Sequence, residues 1–268
     1  MSSFDNLDTT VNSTGNSGQP SVFPAFLSAL QWTDTAFPSG MYTLSHGLEG
    51  LSQCQWLDRA SLTETVRELI TDVVAPTDGI AAALAWSWAQ DWRQSKSATI
   101  STSISTHSAT ETTLRMVDEV LLATKPSDYA RRGSTRVGKQ LLSMADDVLN
   151  PDEDTPLGTL ISDVQKGNVV GNQAIVAGII HHHNGLSQEM AVSCELFSFA
   201  AGACSAAVRL SVADHISAQQ IVSEVGSDIA ECVQRCCDSS VDDIGTLSPA
   251  LDIASAAHES APARLFIN

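Results

Sequence analysis

Apolar residues return every three or four positions along almost the whole of this chain, a period that suits helices and little else. Leu62, Val66, Leu69, Ile70 and Val73 form one such stripe, Leu114, Val117, Val120 and Leu121 a second, and Ile221, Val225, Ile229 and Val233 a third. No alternating apolar and polar run of the kind a half-buried strand needs competes with them. The spacing predicts an all-α fold, a single-domain helical bundle of about eight to ten helices. Ser61-x-x-Glu64 and Ser217-x-x-Gln220 read as capping boxes, and Gly185, after three histidines and an asparagine, reads as a helix stop. Ala200 to Val208 is built almost wholly of small residues, which lets neighbouring helices approach closely and places that helix at the bundle centre.

Three stretches break the period. Residues 1–22 and 95–113 are rich in Ser and Thr with few apolar anchors, so both are expected to be mobile, the first as a disordered segment before a domain spanning 23–268. Residues 146–158 are acidic and carry Pro151 and Pro156, which predicts a solvated loop. Hydrophobic residues make up 43% of the chain and charged ones 17%, too apolar a mixture for a disordered protein. The balance of 14 Lys and Arg against 31 Asp and Glu, net −17, offers no surface for nucleic acid or anionic lipid. The N-terminal stretch lacks the basic and apolar regions of a secretory signal, and Leu196 to Val208 is too short to span a membrane. A cytoplasmic protein is expected, its six cysteines reduced.

Several clusters invite chemistry. His181, His182 and His183 are consecutive; on a helix they point about 100° apart and cannot converge on one ion, so a solvated helix end facing the negative pole of the dipole is expected. Cys232 and Cys236 have ligand spacing, i and i+4, yet thiols of this kind are more often buried and structural. Asp146 and Asp147 followed by Asp152, Glu153 and Asp154 resemble an aspartate-rich Mg²⁺ site only until Pro151 interrupts the helix. Arg132, Arg136 and Lys139 share one helix face, either paired locally and solvated or a docking patch for an acidic partner. The stretch from Leu30 to Gly50 sets Pro38, Gly40, Gly47 and Gly50 among Phe37, Tyr42 and Leu48. That mixture specifies a packed loop, with a structural joint and a binding site equally open.

At that loop the chain resembles the UreF family of urease accessory proteins. Asp34, Phe37, Pro38, Gly40, Ser45, Gly47, Leu48 and Glu49 carry the likeness, followed by Ser134, Gly138, Gln140, Leu141 and Leu142, by Gly178, Gly185 and Leu186, by Ser205 to Leu210, and by His258, Ala263, Arg264, Leu265 and Phe266. Asn172 stands where the family commonly has His, and Ala213 to His215 stands in place of a Pro-Leu-Gly-Gln run. The resemblance implies an all-α protein with no catalysis and no tightly held cofactor of its own. It would be a homodimeric adaptor joining the UreD (UreH) scaffold and the GTP-hydrolysing UreG so that nickel reaches apo-urease. The resemblance, taken with the basic face of α-helical spacing and the aromatic loop read above, points to Phe37, Pro38, Gly40, Tyr42, Ser45, Gly47, Glu49, Arg132, Arg136, Lys139, Gln140, Arg264, Leu265 and Phe266 as partner-binding. The C-terminal segment, poor in helix signals from Leu247 to Pro262 but apolar at its end, is expected to bind the scaffold rather than complete its own core. A nickel-carrying chaperone using the histidines or Cys232 and Cys236, and an all-α Mg²⁺ enzyme, are the alternatives.

Overall fold

The computed structural model describes residues 22–98, 106–125 and 127–266, and among them there is helix and no strand. Helix α1 (Val22–Thr33) leads through a loop with a 3₁₀ turn (Met41–Thr43) to α2 (Leu48–Gln53) and α3 (Leu62–Glu68). A π-helical segment (Leu69–Gly79) joins α3 without a break to α4 (Ile80–Ala98). Then follow α5 (Thr106–Thr124), α6 (Asp128–Leu149), α7 (Pro156–Lys166), α8 (Gln173–His183) and α9 (Gln188–Arg209). The chain closes with α10 (His215–Glu224), α11 (Gly226–Asp238), a 3₁₀ turn (Val241–Asp243) and α12 (Pro249–Glu259). With α3, the π segment and α4 taken as one rod, the count slightly exceeds the expected range.

The core is stacked on α4, α8 and α9. Every residue of α8 from Ala174 to His182 is buried, as a helix apolar on all sides requires. It lies against Ala81, Ala82, Ala83 and Ala85 of α4, all fully buried. Gly178 makes that approach possible, because a methyl group there would stand 2.5 Å from the Ala82 carbonyl oxygen. On α9 the small residues are buried at the bundle centre, as their size demands.

The π segment carries Pro76 within it, a residue that cannot donate to the helix ladder. Carbonyls along this segment find partners outside the helix. Thr246 Oγ1 donates to the Asp72 carbonyl at 2.6 Å, the Gly245 amide to Pro76 at 3.1 Å and Cys236 Sγ to Ala75 at 3.2 Å. The wider turn also brings Asp78 into the interior, a placement of the kind π-bulges often supply at functional sites.

Local expectations need correction at four places. Ser61 does cap α3, but its side chain closes no box; the Asp58 carboxylate instead accepts the Ala60 and Ser61 amides at 2.9 and 2.8 Å. At α10 the cap is Asp214, with Ser217 as its reciprocal partner, because the shorter-reaching carboxylate one turn earlier fits the first free amides. The acidic stretch is narrower than 146–158: α6 runs to Leu149, Asn150 ends it at φ 43°, and Thr155 and Pro156 start α7. The C-terminal segment does form a helix, α12, begun by Pro249 and supported by α2, where Gly50 lets the Ala254 carbonyl come close. Residues 1–21 and 99–105 lie outside the described residues, and with them most of the first Ser/Thr-rich stretch and the centre of the second, whose flanks belong to α4 and α5.

Candidate functional site

A cavity of about 180 Å³ opens between the 41–47 loop, the π segment, α6, α9 and α12. Its walls are mainly apolar, with Met41, Leu44, Val74, Val137, Phe199 and Leu251 among them, and into them are set His46, Asp78, Lys125, Gln173, Glu195 and His258. Lys125, just past the end of α5, donates from Nζ to both oxygens of Asp78 at 2.6 Å. The two side chains are only 15 and 13% exposed, so the pair is held in a low-dielectric place where losing either partner is costly. Glu195 accepts one hydrogen bond, from Gln173 Nε2 at 2.9 Å. Burial first, and the Asp78 charge second, push its carboxyl up to about 8, so at neutral pH it carries its proton.

His46 stands edge-on to Phe199, with ring centres 5.0 Å apart. Its buried Nε2 meets no hydrogen-bond partner among the described residues. Burial, helped by the Arg209 charge, holds it down at about 4; it is a neutral imidazole. The small-residue stretch of α9 is what admits it, because a side chain at Gly202 would run into the ring. The cavity thus joins a neutral imidazole, a protonated acid and a buried ion pair, a set suited to exchanging protons and hydrogen bonds with whatever enters.

Below the cavity lies a second polar cluster with a different character. Asp118 is fully buried and its carboxylate accepts from the Gly171 amide at 2.8 Å, the Asn172 amide at 3.0 Å and Asn172 Nδ2 at 2.6 Å. Ser134 Oγ donates to Asn172 Oδ1 at 3.0 Å. Gly138 on the next turn of α6 packs on the Gly171 carbonyl so tightly that no side chain fits. Ser134 and Gly138 therefore fasten α6 to the start of α8, and Asn172 has a complete set of partners in this chain.

The motif loop and the C-terminal tail meet at one end of the bundle. Phe37 packs on Trp32, Pro38 is exposed, Gly40 and Gly47 take φ of 82° and 86°, and Ser45 is fully buried. Glu49, 4% exposed, accepts the Leu265 and Phe266 amides at 2.6 and 3.1 Å. Phe266 is buried with it, so the tail completes its own bundle; the expectation that it would not is overturned by a carboxylate ready to receive two otherwise unpaired amides. The Arg209 guanidinium sits 4.0 Å from the Tyr42 ring and 4.2 Å from that of Phe266, and Arg264 lies 4.6 Å over Tyr129. Tyr42 and Leu265 remain 55 and 62% exposed.

On α6, Arg132, Arg136, Lys139 and Gln140 are exposed. Arg132 has only a loose contact with Asp128, 3.7 Å, and Arg136 reaches Thr43 of the loop at 2.8 Å. The basic face and the loop end are therefore neighbours. Sequence reasoning missed His46, Asp78, Lys125, Glu195, Arg209 and the Asp118 node. The available signal was a charged residue inside an apolar helical run, as at Asp78, Asp118 and Glu195.

The histidine expectation is also overturned. His181 and His182 are 3 and 4% exposed; α8 is central, so its last turn is covered by packing rather than water. Burial alone lowers His181 to about 4, and His182 Nε2 is 3.1 Å from Gln90 Oε1. Cys232 and Cys236 are buried as expected, and burial pushes the Cys236 thiol up to about 12. Among the described residues no three His, Cys, Asp or Glu side chains gather as a metal site. The acidic set of 146–158 is divided between the end of α6 and the following loop.

These features define a helical-bundle protein whose recognisable motif residues build a loop-and-tail joint beside a polar-lined cavity. Residues 56–226 match the model of the UreF family, and the chain belongs to that family, whose characterised members are urease accessory proteins. It is 26% identical to the urease accessory protein UreF of Bacillus sp. (strain TB-90) over 246 residues, covering 90% of this chain and 98% of that protein. It is 26% identical to UreF of Trichodesmium erythraeum over 243 residues, 90% and 96% of the two chains. To UreF of Roseobacter denitrificans it is 27% identical over 243 residues, 90% and 93%.

Proposed function

We propose that this protein is a non-catalytic, homodimeric adaptor of the cytoplasm that joins the UreD-type scaffold to the UreG-type GTPase so that nickel is delivered to apo-urease. Family membership supports the urease side of this reading. The observation that carries the adaptor role is the gathering of motif residues at one end of the bundle, with exposed Pro38, Tyr42, Arg264 and Leu265 beside the exposed Arg132, Arg136, Lys139 and Gln140. The apolar and stacked side chains of the tail suit the scaffold, and the basic face suits an acidic surface of the GTPase. Ser45, Glu49 and Phe266 act beneath that surface, holding the loop and tail in shape. In this reading nickel is cargo of the complex and not a resident of this chain.

Co-purification with each partner from the same organism, taken separately and then together, tests it. The chain should retain both, and R132E/R136E should lose the GTPase while keeping the scaffold. Retention of neither wild-type partner, or unchanged affinity and salt dependence in that variant, overturns the assignment of the surfaces. Equilibrium dialysis of the isolated chain against Ni²⁺ should show no stoichiometric tight site; one such site would favour the direct carrier.

A further inference from the structure

The adaptor role uses the outer surface and leaves the cavity between the 41–47 loop, the π segment, α6, α9 and α12 without a task. Three acids and bases that are normally charged line it: Asp78, Lys125 and Glu195. Asp78 is fully engaged, since Lys125 donates to both of its oxygens at 2.6 Å and Thr77 Oγ1 to one of them at 3.1 Å. The one positive charge in the described lining is thereby cancelled. Glu195 differs. It is 5% exposed on α9, and Gln173 is its one hydrogen-bond partner among the described residues. A carboxyl so placed costs stability unless a further partner arrives. Space for one adjoins it, about 180 Å³, somewhat more than the ~150 Å³ that holds a benzene molecule.

We propose that this cavity binds a small primary amine, its ammonium group pairing with the Glu195 carboxylate and its apolar body lying among Val74, Val137, Phe199 and Leu251. Charge selects a cation. With Asp78 and Lys125 cancelling, an ionised Glu195 leaves the lining one negative charge in excess, which an ammonium neutralises, whereas an anion finds no free positive group. His46 and His258 do not oppose the cation, because burial holds both below the ordinary histidine range. At net −17 the whole chain draws cations toward it. Among the described residues no three His, Cys, Asp or Glu side chains gather, so a metal ion has too few donors here. An ammonium asks less: one carboxylate and neutral acceptors, which Gln173 and Ser255 supply in the same lining.

Binding exchanges one proton. Glu195 carries its proton near neutrality; as the ammonium arrives the carboxyl O–H bond breaks, its electron pair stays on the carboxylate and the proton leaves to solvent. Asp78 from the π segment strengthens its hold on the proton and Lys125 weakens it. His46 from the loop and His258 from α12 share the cavity, and Asp34, His181 and Cys194 border a 20 Å³ pocket that Glu195 also lines. None of this depends on the adaptor reading.

Isothermal titration calorimetry of the full chain with benzylamine, in phosphate and in Hepes, tests it, because buffers of unequal ionisation heat count the protons released. The wild type should bind one benzylamine with a dissociation constant below about 1 mM. It should release about 0.9 proton at pH 7 and gain about tenfold in affinity from pH 6 to 7. Benzyl alcohol, with the same ring and no charge, should bind at least about tenfold more weakly. Glu195→Gln keeps the volume and should weaken benzylamine by about 30-fold or more, with no proton released. Absence of saturable binding, equal affinity for benzyl alcohol, or unchanged binding in Glu195→Gln overturns the proposal, the last by giving the amine to the acidic exterior. Should that variant melt far below the wild type, the wild-type proton count decides: close to one supports the site, and none overturns it.

Discussion

Asp118 and Glu195 are carboxylates buried in the same bundle, and they are in opposite conditions. Three N–H donors wrap Asp118; one amide reaches Glu195, beside an open cavity. The first arrangement satisfies a charge and welds the start of α8 to α5, with α6 fastened alongside. The second leaves an acid that keeps its proton near neutrality, close to a neutral histidine with a free ring nitrogen. A fully satisfied polar cluster fixes a fold, while a partly satisfied one at a cavity keeps its chemistry available to a visitor.

The sharpest way to break this comparison is Asp118→Ala. It strands the Gly171 and Asn172 amides, while Asn172 Nδ2 keeps the backbone carbonyl of residue 118, and at about 1–3 kcal/mol for each of these two buried groups the loss should reach about 2–6 kcal/mol in chemical denaturation. A loss under about 1 kcal/mol would mean the node is not structural. Next is Lys125→Met, which leaves Asp78 buried without its partner and should cost about 3–5 kcal/mol. Asp78→Asn added to it should recover most of that loss; no recovery would show that Lys125 matters for packing and not for charge.

The loop glycines come next. Gly40 and Gly47 both need a left-handed backbone, worth about 1–2 kcal/mol against a branched residue. Only Gly47 also faces Leu251 of α12, 2.5 Å from where its side chain would begin, while nothing approaches Gly40 within 4 Å. Gly47→Val should therefore lose about 2–4 kcal/mol and Gly40→Val about 1–2 kcal/mol. Equal melting temperatures would refute the packing of α12 on the loop.

Smaller effects should appear in the pH profile of stability. Between about 4.5 and 8 folded Glu195 holds a proton that the unfolded chain has released, so stability falls as pH rises through that window. His46 and His181 act in the other direction: held at about 4 when folded and near 6.5 when unfolded, they make stability rise with pH over that interval. The melting temperature should peak near pH 6.5, and the decline above it, about 1–2 kcal/mol by pH 8, should vanish in Glu195→Gln. A decline that persists there would place the proton elsewhere. The least change belongs to R132E/R136E, whose exposed side chains should leave stability within about 0.5 kcal/mol, so that any loss of partner binding is read directly.

The sequence by itself determined the helical class, the small-residue helix at the centre, the stop at Gly185 and the family, because each rests on local periodicity, turn geometry or a motif read in order. Only the tertiary structure decided what the polar residues do. Asp118 and Asn172 lie 54 positions apart, Glu49 and the amides it holds more than 200, and Arg209 serves Tyr42 and Phe266 at once. The His181 and His182 pair looked like a wet helix end because helix spacing tells which residues share a face and not what covers it. The exposed stripe on α1 is the same lesson inverted: Phe23, Phe26, Leu27 and Leu30 have the spacing of a core face, and only the packing of Ala29 and Trp32 shows that they point outward. A helix fixes its own side-chain directions through its 3.6-residue turn, whereas burial, pairing and protonation depend on neighbours that chain topology brings from far away.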